Sequence, residues 1–192
     1  MKDIKTIKEY ANANDVPVML DEGLEYMLTY IKEHNIKNIL EVGSAIGYSA
    51  IQMASLDPNI HVYTIEKDIE RYTLAVENIA NMELTKQITI VNEDALNSVV
   101  EGSYDLIFID AAKAQYIKFF ERYSGLLSEG GVIISDNLAF HGFVEHTETI
   151  TSRNLRQLVR KIKTYITYLE NNQEFNTEFL AIGDGIAITK KK

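Results

Sequence analysis

Two hydrophobic segments of the sequence end in oxygen-bearing side chains. Asp110 follows the segment DLIFI, and Asp136 and Asn137 follow the segment GVIIS. If the segments form neighbouring parallel strands, their carboxyl ends bring these three side chains to one edge of the sheet. Carboxylate and amide oxygens suit Mg²⁺ or a similar hard cation. An Asp-Asn pair after a strand more often forms a turn, so the metal hypothesis depends on the pairing with Asp110.

A lysine, Lys113, lies three positions after the first of these acids. A divalent cation nearby favours the neutral amine, which can then accept a proton from a substrate hydroxyl. Lys113 and Asp110 are therefore the predicted catalytic residues. The alternative is that Lys113 only flanks the site or begins the following helix.

A glycine-containing loop, EVGSAIGYSA, follows the first predicted strand and opens a helix. Gly43 and Gly47 allow a tight turn and a close approach to a ligand, and the helix amides with the Ser49 hydroxyl could hold an anion. The dinucleotide fingerprint fails because Ala45 replaces its second glycine, and a phosphate-binding G-x-x-x-x-G-K-[ST] loop is missing. The spacing E-x-G-x-x-x-G instead indicates an S-adenosylmethionine site, although a generic glycine turn would look the same.

Two further acids follow predicted strands. Glu66 lies 23 positions after Gly43 and could accept hydrogen bonds from both ribose hydroxyls. Asp94 and Ala95 follow the third strand, where an adenine amine could be recognised. Each acid could instead be a surface charge or a helix cap. Three such loops at one sheet edge favour the cofactor site.

These side chains need a sheet to position them, and the sequence alternates accordingly. Strands are predicted at 38–42, 60–66, 87–92, 105–109, 131–135, 178–182 and 186–189. Helices are predicted at 2–13, 21–35, 46–56, 69–82, 113–127 and 151–169, with a turn at 128–131. The alternation predicts an α/β fold with a mostly parallel sheet and helices on both faces. The short link Gly183-Asp184-Gly185 predicts a C-terminal antiparallel hairpin. We expect one domain over residues 1–192, with 1–36 as a helical N-terminal extension and 37–192 as a Rossmann-like core.

Composition limits the classes of protein that the chain can represent. The 192 residues contain no cysteine, which excludes disulfides, thiolate metal sites and a cysteine nucleophile. We find no apolar run near 18 residues and no signal-peptide pattern, so we expect no membrane partner and a cytoplasmic protein. The net charge of −9 would repel nucleic acid except at a local basic patch.

One segment, TSRNLRQLVRKIKTYITYL at 151–169, carries such a patch. Its apolar residues fall on one helical face, and a separate face carries Arg153, Arg156, Arg160 and Lys163. Arginine matches phosphate geometry and stacks on bases, so this face is a candidate nucleic-acid contact; a solvated helix face is the alternative. Five aromatic residues are candidates to line a substrate pocket or to belong to the core: Tyr48, Tyr116, Phe140, His141 and Phe143.

The combination of EVGSAIGYSA, Glu66, FIDAAK and SDN resembles the cation-dependent O-methyltransferases of the catechol and caffeoyl-CoA type. The resemblance runs from about Val16 to the C-terminus. FIDAAKAQYIKFF, SDNLAFHGFV and RQLVRKIKTY are similar to the bacterial branch that methylates 5-hydroxyuridine in tRNA.

The resemblance implies the seven-stranded, Rossmann-like class I S-adenosylmethionine-dependent methyltransferase fold, and it implies a homodimer. It implies Mg²⁺ binding by Asp110, Asp136 and Asn137, with Lys113 as the base. It implies that eight residues contact or neighbour S-adenosylmethionine: Met19, Glu41, Gly43, Ser49, Glu66, Asp94, Ala95 and Asp110.

Three functions are compatible with these patterns. The favoured one is methylation of wobble-position 5-hydroxyuridine in the tRNA anticodon loop to 5-methoxyuridine, with S-adenosylmethionine and Mg²⁺ or another divalent cation. The second is methylation of small catechol-like vicinal diols. Catechols and 5-hydroxyuridine both carry two neighbouring oxygens that one cation can chelate. The third is a nucleotide-binding module without catalysis.

Overall fold

The structure is a computed structural model that describes residues 3–139, 142, 144 and 150–192. The candidate pocket residues Phe140, His141 and Phe143 lie outside the described residues. In chain order the elements are α1 (Ile4–Ala13), α2 (Asp21–Glu33), β1 (Asn38–Val42), α3 (Tyr48–Ala54), β2 (His61–Glu66), α4 (Ile69–Asn81), β3 (Ile88–Asn92), β4 (Tyr104–Ile109), α5 (Tyr116–Tyr123), β5 (Leu127–Ser135), α6 (Arg153–Glu170), β6 (Phe175–Leu180) and β7 (Ile186–Lys191).

The seven strands form one sheet in the order β3-β2-β1-β4-β5-β7-β6. The strands run parallel except β7, which is antiparallel to both β5 and β6. The predicted mostly parallel sheet with a C-terminal antiparallel hairpin is confirmed. Strand order reverses between β1 and β4, so the carboxyl ends of these two strands flank the topological switch point, where open α/β sheets bind ligands.

Helices cover both faces of the sheet because each central strand is apolar on both sides. Alternate strand residues such as Ile39 and Phe108 pack with α1, α2 and α3. The intervening residues, such as Leu40 and Ile107, pack with α5 and α6. The two helices that precede β1 therefore contribute to the core, through residues such as Met27. Among the described residues no helix is long and apolar enough to cross a membrane.

The predicted turn at 128–131 is wrong, because this stretch belongs to β5. Tyr104 pairs with Leu127 and Leu106 pairs with Val132, so four residues of β5 lie opposite one residue of β4. Gly130 has a φ of 76°, and a Cβ on Gly131 would lie 3.0 Å from the Tyr104 carbonyl oxygen. Gly130 and Gly131 thus mark an irregularity inside a strand. Such an irregularity has the same glycine-rich composition as a turn.

The strand predicted at 178–182 spans Phe175–Leu180 instead, and two predicted helices near the site also differ from the predictions. The helix predicted at 46–56 begins at Tyr48, because Ala45 and Gly47 have left-handed φ values of 46° and 82°. The helix predicted at 113–127 divides into α5 and two short 3₁₀ turns, at Lys113–Gln115 and Ser124–Leu126. The first of these turns places Lys113 at the sheet edge rather than inside a regular helix.

Candidate active site

A cavity of about 280 Å³ lies at the carboxyl edge of the sheet. The loops after β1, β2, β3 and β4 line it, together with the link between α1 and α2. Of the predicted site residues, those that line this cavity are Met19, Gly43, Ser49, Glu66, Asp94, Ala95, Asp110 and Lys113. The structure therefore brings residues from five separate segments into one pocket.

Gly43 makes the direct contact between the loops after β1 and β4. Its φ is 100°, and its N–H donates to the Ile65 carbonyl at 3.0 Å. A Cβ at this position would lie 2.4 Å from the carbonyl oxygen of Asp110. No side chain fits such a gap without movement of the backbone, and an L-residue is strained at this φ. Glycine is therefore required for the cavity wall to keep this shape.

Glu41 supports the cavity from behind rather than lining it. Its side chain is fully buried and accepts hydrogen bonds from the hydroxyls of Ser49 and Thr64, the second at 2.5 Å. Burial raises the pKa of this carboxyl to about 7, and the hydrogen bonds from the two hydroxyls oppose the shift. Glu41 thus acts through Ser49, which does reach the cavity. Sequence reasoning did not identify Thr64.

Glu66 is held in place by two backbone donors. Its carboxylate accepts the N–H of Ala45 and the N–H of Asp68, each at 2.9 Å. The left-handed conformation of Ala45 accompanies the first of these bonds. A carboxylate has about four acceptor positions, so two stay open for the hydroxyls of a ribose.

Asp94 both stabilises local backbone structure and lines the cavity. Its carboxylate accepts the Leu96 N–H at 2.9 Å, and its carbonyl accepts the N–H groups of Asn97 and Ser98. It therefore organises a local turn while it lines the cavity. Ala95 lies beside it and is buried.

Two of the predicted metal ligands, Asp136 and Asn137, do not line this cavity. They follow β5 directly beside the Asp110 loop: the Asp110 N–H donates to Val42, and the Asp136 N–H donates to Ile109 at 3.3 Å. Asn137 has a left-handed φ of 64°, and its buried Oδ1 has no hydrogen-bond partner among the described residues.

The donor set fits a hard cation. Desolvation raises the pKa of both Asp110 and Asp136, and the Asp110 charge adds to the effect on Asp136. The Lys113 charge opposes the shift at both carboxyls; a divalent cation would add further compensating charge, and the Asn137 oxygen would supply a neutral third ligand. No cluster of three His, Cys, Asp or Glu side chains suited to a metal is found in the described part of the chain, so the amide is needed to complete the set.

Lys113 lies beside Asp110 at the wall of the cavity. Its Nζ is 3.7 Å from Oδ1 of Asp110 and 5.9 Å from the centre of the Tyr116 ring. The lysine side chain is largely buried and reaches the cavity. It therefore faces both the cavity and the acidic set.

Of the aromatic candidates that the structure describes, Tyr48 lines the cavity and Tyr116 does not. Tyr116 is buried, and its hydroxyl donates to the Asp136 carbonyl at 3.1 Å. Beside it, the hydroxyls of Tyr165 and Ser135 are 2.7 Å apart. Tyr116 thus holds the backbone at the start of the Asp136–Asn137 loop, and Tyr165 holds the side chain of the last residue of β5. Phe119 and Arg71 also line the cavity, and no sequence pattern indicated them.

The helix that carries the basic face, α6, packs near the carboxyl edge of the sheet. Arg153, Arg156, Arg160 and Lys163 are all exposed. Tyr165 contacts Ser135 at the carboxyl end of β5, and the twelve residues of α6 before it span about 18 Å of helix. α6 also packs against the 3₁₀ turn of Lys113. The C-terminal lysines lie at the opposite edge, because β7 runs antiparallel.

Comparison with known proteins identifies the family. The model of the O-methyltransferase family matches residues 1–192. The chain belongs to this family. A crystal structure of a Staphylococcus aureus protein, provisionally named a caffeoyl-CoA O-methyltransferase, is 42% identical with a TM-score of 0.95, over 100% of this chain and 93% of that one. The O-methyltransferase therefore has the class I S-adenosylmethionine-dependent methyltransferase fold, as predicted.

Two more distant proteins agree with this assignment. A caffeoyl-CoA O-methyltransferase of Populus kitakamiensis is 27% identical over 195 residues, which cover 97% of this chain and 83% of the plant protein. An O-methyltransferase from Bacillus cereus, crystallised with SAH, has a TM-score of 0.81 at 24% identity, over 100% of this chain and 92% of that one. The second likeness concerns the fold alone.

Proposed function

We propose that this O-methyltransferase uses S-adenosylmethionine and a divalent cation to methylate 5-hydroxyuridine at the tRNA wobble position. The observation that carries the tRNA assignment is the basic half of α6. This helix contacts the carboxyl end of β5 and packs against the turn that bears Lys113, in a chain whose net charge is −9. A local positive surface next to a catalytic cavity suits a polyanionic substrate.

The cavity residues fit S-adenosylmethionine, which supplies a methyl group on a sulfonium centre. Glu66 has acceptor positions for ribose hydroxyls, and the Asp94–Ala95 turn lies where an adenine would be read. Gly43 keeps the β1 loop close enough to Asp110 for the methyl donor to lie near the acidic set. The SAH that accompanies the Bacillus cereus neighbour supports this choice of cofactor.

Asp110, Asp136 and Asn137 would hold the cation, which supplies positive charge that favours the anionic form of a substrate hydroxyl. Lys113 accepts the hydroxyl proton at Nζ, and Asp110 at 3.7 Å orients the amine. Tyr116 holds the Asp136 carbonyl, and burial with the nearby acidic charges raises the pKa of Tyr116, so its hydroxyl stays a donor.

An anticodon loop suits this arrangement. Its wobble base is single-stranded, so it enters a pocket without the cost of opening a duplex. Arginines on α6 can contact the phosphates that flank the base. Arg153 and Arg156, at the start of the helix, are the best placed, whereas Lys163 lies about 15 Å further along the helix from Arg153.

A second candidate substrate is a small catechol-like molecule. The names of two similar proteins favour it. The Populus kitakamiensis protein is called a caffeoyl-CoA O-methyltransferase, and the Staphylococcus aureus protein is provisionally called one. Both candidates require the same cofactor, cation and base, and they differ in whether α6 contacts the substrate. A nucleotide-binding module without catalysis has no use for a buried Asn137 oxygen that lacks a partner in the described part of the chain, and it is not favoured.

The deciding experiment compares the two substrates in one preparation. Replacement of Arg153, Arg156 and Arg160 by glutamine should weaken methylation of hydroxylated tRNA. It should also make the plot of log affinity against log salt concentration less steep, by about 0.7 to 0.9 for each lost phosphate contact. Turnover of a catechol should not change. Lys86→Gln, an exposed lysine near the opposite edge, is the matched control.

Mass spectrometry of wobble uridines from a deletion strain provides the cellular test. Unmethylated 5-hydroxyuridine should accumulate in the tRNA if the proposal is correct. Normal 5-methoxyuridine in that strain, with retained turnover of catechols by the purified protein, would establish the small-molecule function instead.

A further inference from the structure

An acidic residue of the β6–β7 turn is buried beside the loop of Asp136 and Asn137, the proposed metal-binding loop. Gly183 and Gly185 have left-handed φ values of 57° and 86°, and Asp184 between them is only 5% exposed. Hairpin turns usually expose their acidic residues, and aspartate is among the residues that are least often buried. The position of Asp184 therefore calls for an explanation beyond turn formation.

The turn is fixed against the loop that follows Asp136. The Leu138 N–H donates to the Gly185 carbonyl at 2.9 Å, and the Ala139 N–H donates to the Asp184 carbonyl at 2.7 Å. A Cβ on Gly185 would lie 2.6 Å from the Ala139 nitrogen, so the two backbones are in direct contact. The next residues of both segments continue as paired strands, since Ala187 pairs with Ser135.

The carboxylate of Asp184 adds to the negative charge at the metal-binding loop. It is buried in a turn whose backbone bonds Leu138 and Ala139, the two residues directly after Asn137. Asp184 thus brings a third acidic residue to the sheet edge where Asp110 and Asp136 follow β4 and β5. Removal of one of these charges changes the affinity of the region for a cation, because interactions between charges are strong where water is excluded.

The geometry points to Asp184 as a positioning residue of the cation centre. It holds the Asp136–Asn137 loop through the hairpin turn, and its negative charge strengthens the binding of a divalent cation by the three ligands. The inference rests on the cation dependence in the proposed function. Replacement of residues that support metal ligands typically weakens metal binding by about 10- to 100-fold.

The test is Mn²⁺ binding to the purified full chain, followed by electron paramagnetic resonance. Asp184→Asn keeps the shape and removes the charge, so we expect Mn²⁺ affinity to fall about tenfold or more. S-adenosylmethionine affinity, measured by calorimetry in EDTA, should stay within about twofold. Glu83→Gln, an exposed acid at the end of α4, removes the same charge at the opposite edge and should bind Mn²⁺ as the wild type does.

A second variant separates charge from packing. Asp184→Glu keeps the charge in a larger side chain, so it should retain more Mn²⁺ affinity than Asp184→Asn. A purely structural role predicts the reverse order, since asparagine fits the space better, and that order would overturn the inference. Equal Mn²⁺ affinity of Asp184→Asn and wild type would also overturn it.

Asp136→Asn distinguishes this inference from the proposed function. If Asp136→Asn abolishes Mn²⁺ binding while Asp184→Asn leaves it unchanged, the cation site stands and the role of Asp184 is refuted. If the wild-type protein binds no Mn²⁺ at millimolar concentration, the cation dependence and the role of Asp184 are refuted together.

Discussion

Replacement of Glu41 by glutamine should stabilise the protein at alkaline pH. Glu41 is fully buried behind the cofactor cavity, between the hydroxyls of Ser49 and Thr64. Burial raises its pKa from 4.5 to about 7, with smaller contributions from the charges of Asp110 and Glu66. Glutamine has the same shape as the protonated carboxyl but cannot ionise.

The size of the effect follows from the two pKa values. Each pKa unit corresponds to about 1.4 kcal/mol, so the difference between 4.5 and about 7 corresponds to about 3 kcal/mol. Because the folded pKa is raised, the folded state retains the proton longer than the unfolded state. The contribution of Glu41 to stability is therefore fully present below pH 4.5 and is lost as pH rises through 7.

Urea unfolding at pH 5 and pH 8, in metal-free buffer, measures the difference. The free energy of unfolding of Glu41→Gln, relative to wild type, should increase by about 2 to 3 kcal/mol between the two pH values. The titration of other groups is common to both proteins and drops out of this comparison. Glu83→Gln, on the surface, should show no such change. A relative stability of Glu41→Gln that is constant or falls with pH would refute the raised pKa.

Three further changes test the site itself. Gly43→Ala should lower the affinity for S-adenosylmethionine at least tenfold by calorimetry, because its Cβ would meet the Asp110 carbonyl at 2.4 Å; unchanged affinity would contradict the close contact. Lys113→Ala should lower kcat by about 100-fold or more while S-adenosylmethionine affinity stays nearly constant, and an unchanged kcat would remove its role as base. EDTA, or Asp136→Ala, should abolish methyl transfer but leave S-adenosylmethionine binding measurable, and activity that persists in EDTA would exclude the cation.

Much of the fold could be predicted because parallel strands between helices have a distinctive pattern. Apolar runs such as the one from Leu106 to Ile109 are continuous rather than alternating, which indicates burial on both faces of the sheet. The acids at strand ends could be grouped for the same reason, since the carboxyl ends of parallel strands share one edge. This reasoning alone predicts that Asp110 and Glu66 lie together, and both line the cavity.

Other features depend on contacts between distant segments, which local patterns do not report. Glu41 lies inside a strand, and its position behind Ser49 rather than in the cavity follows from the packing of α3 on β1 and β2. Gly130 and Gly131 have the composition of a turn, but pairing with β4 incorporates them into β5. The sequence pattern assigns Asp184 only to a hairpin turn, and its burial arises from the loop after Asp136.

The contacts of α6 determine how its basic face can be tested. Its buried residues Ile162 and Tyr165 anchor the helix, and Tyr165 bonds Ser135, which directly precedes the proposed metal ligands Asp136 and Asn137. The arginines lie on the exposed surface; Arg156 donates to the Thr151 carbonyl at 3.3 Å, and none of them has a described contact with Asp136 or Asn137. Their replacement should therefore remove a substrate contact while the proposed cation ligands stay in place, whereas Tyr165→Phe should remove the bond to Ser135 and leave the positive charge intact. A loss of tRNA methylation in the first case, with catechol turnover retained, would assign the basic face to the substrate rather than to the architecture of the site.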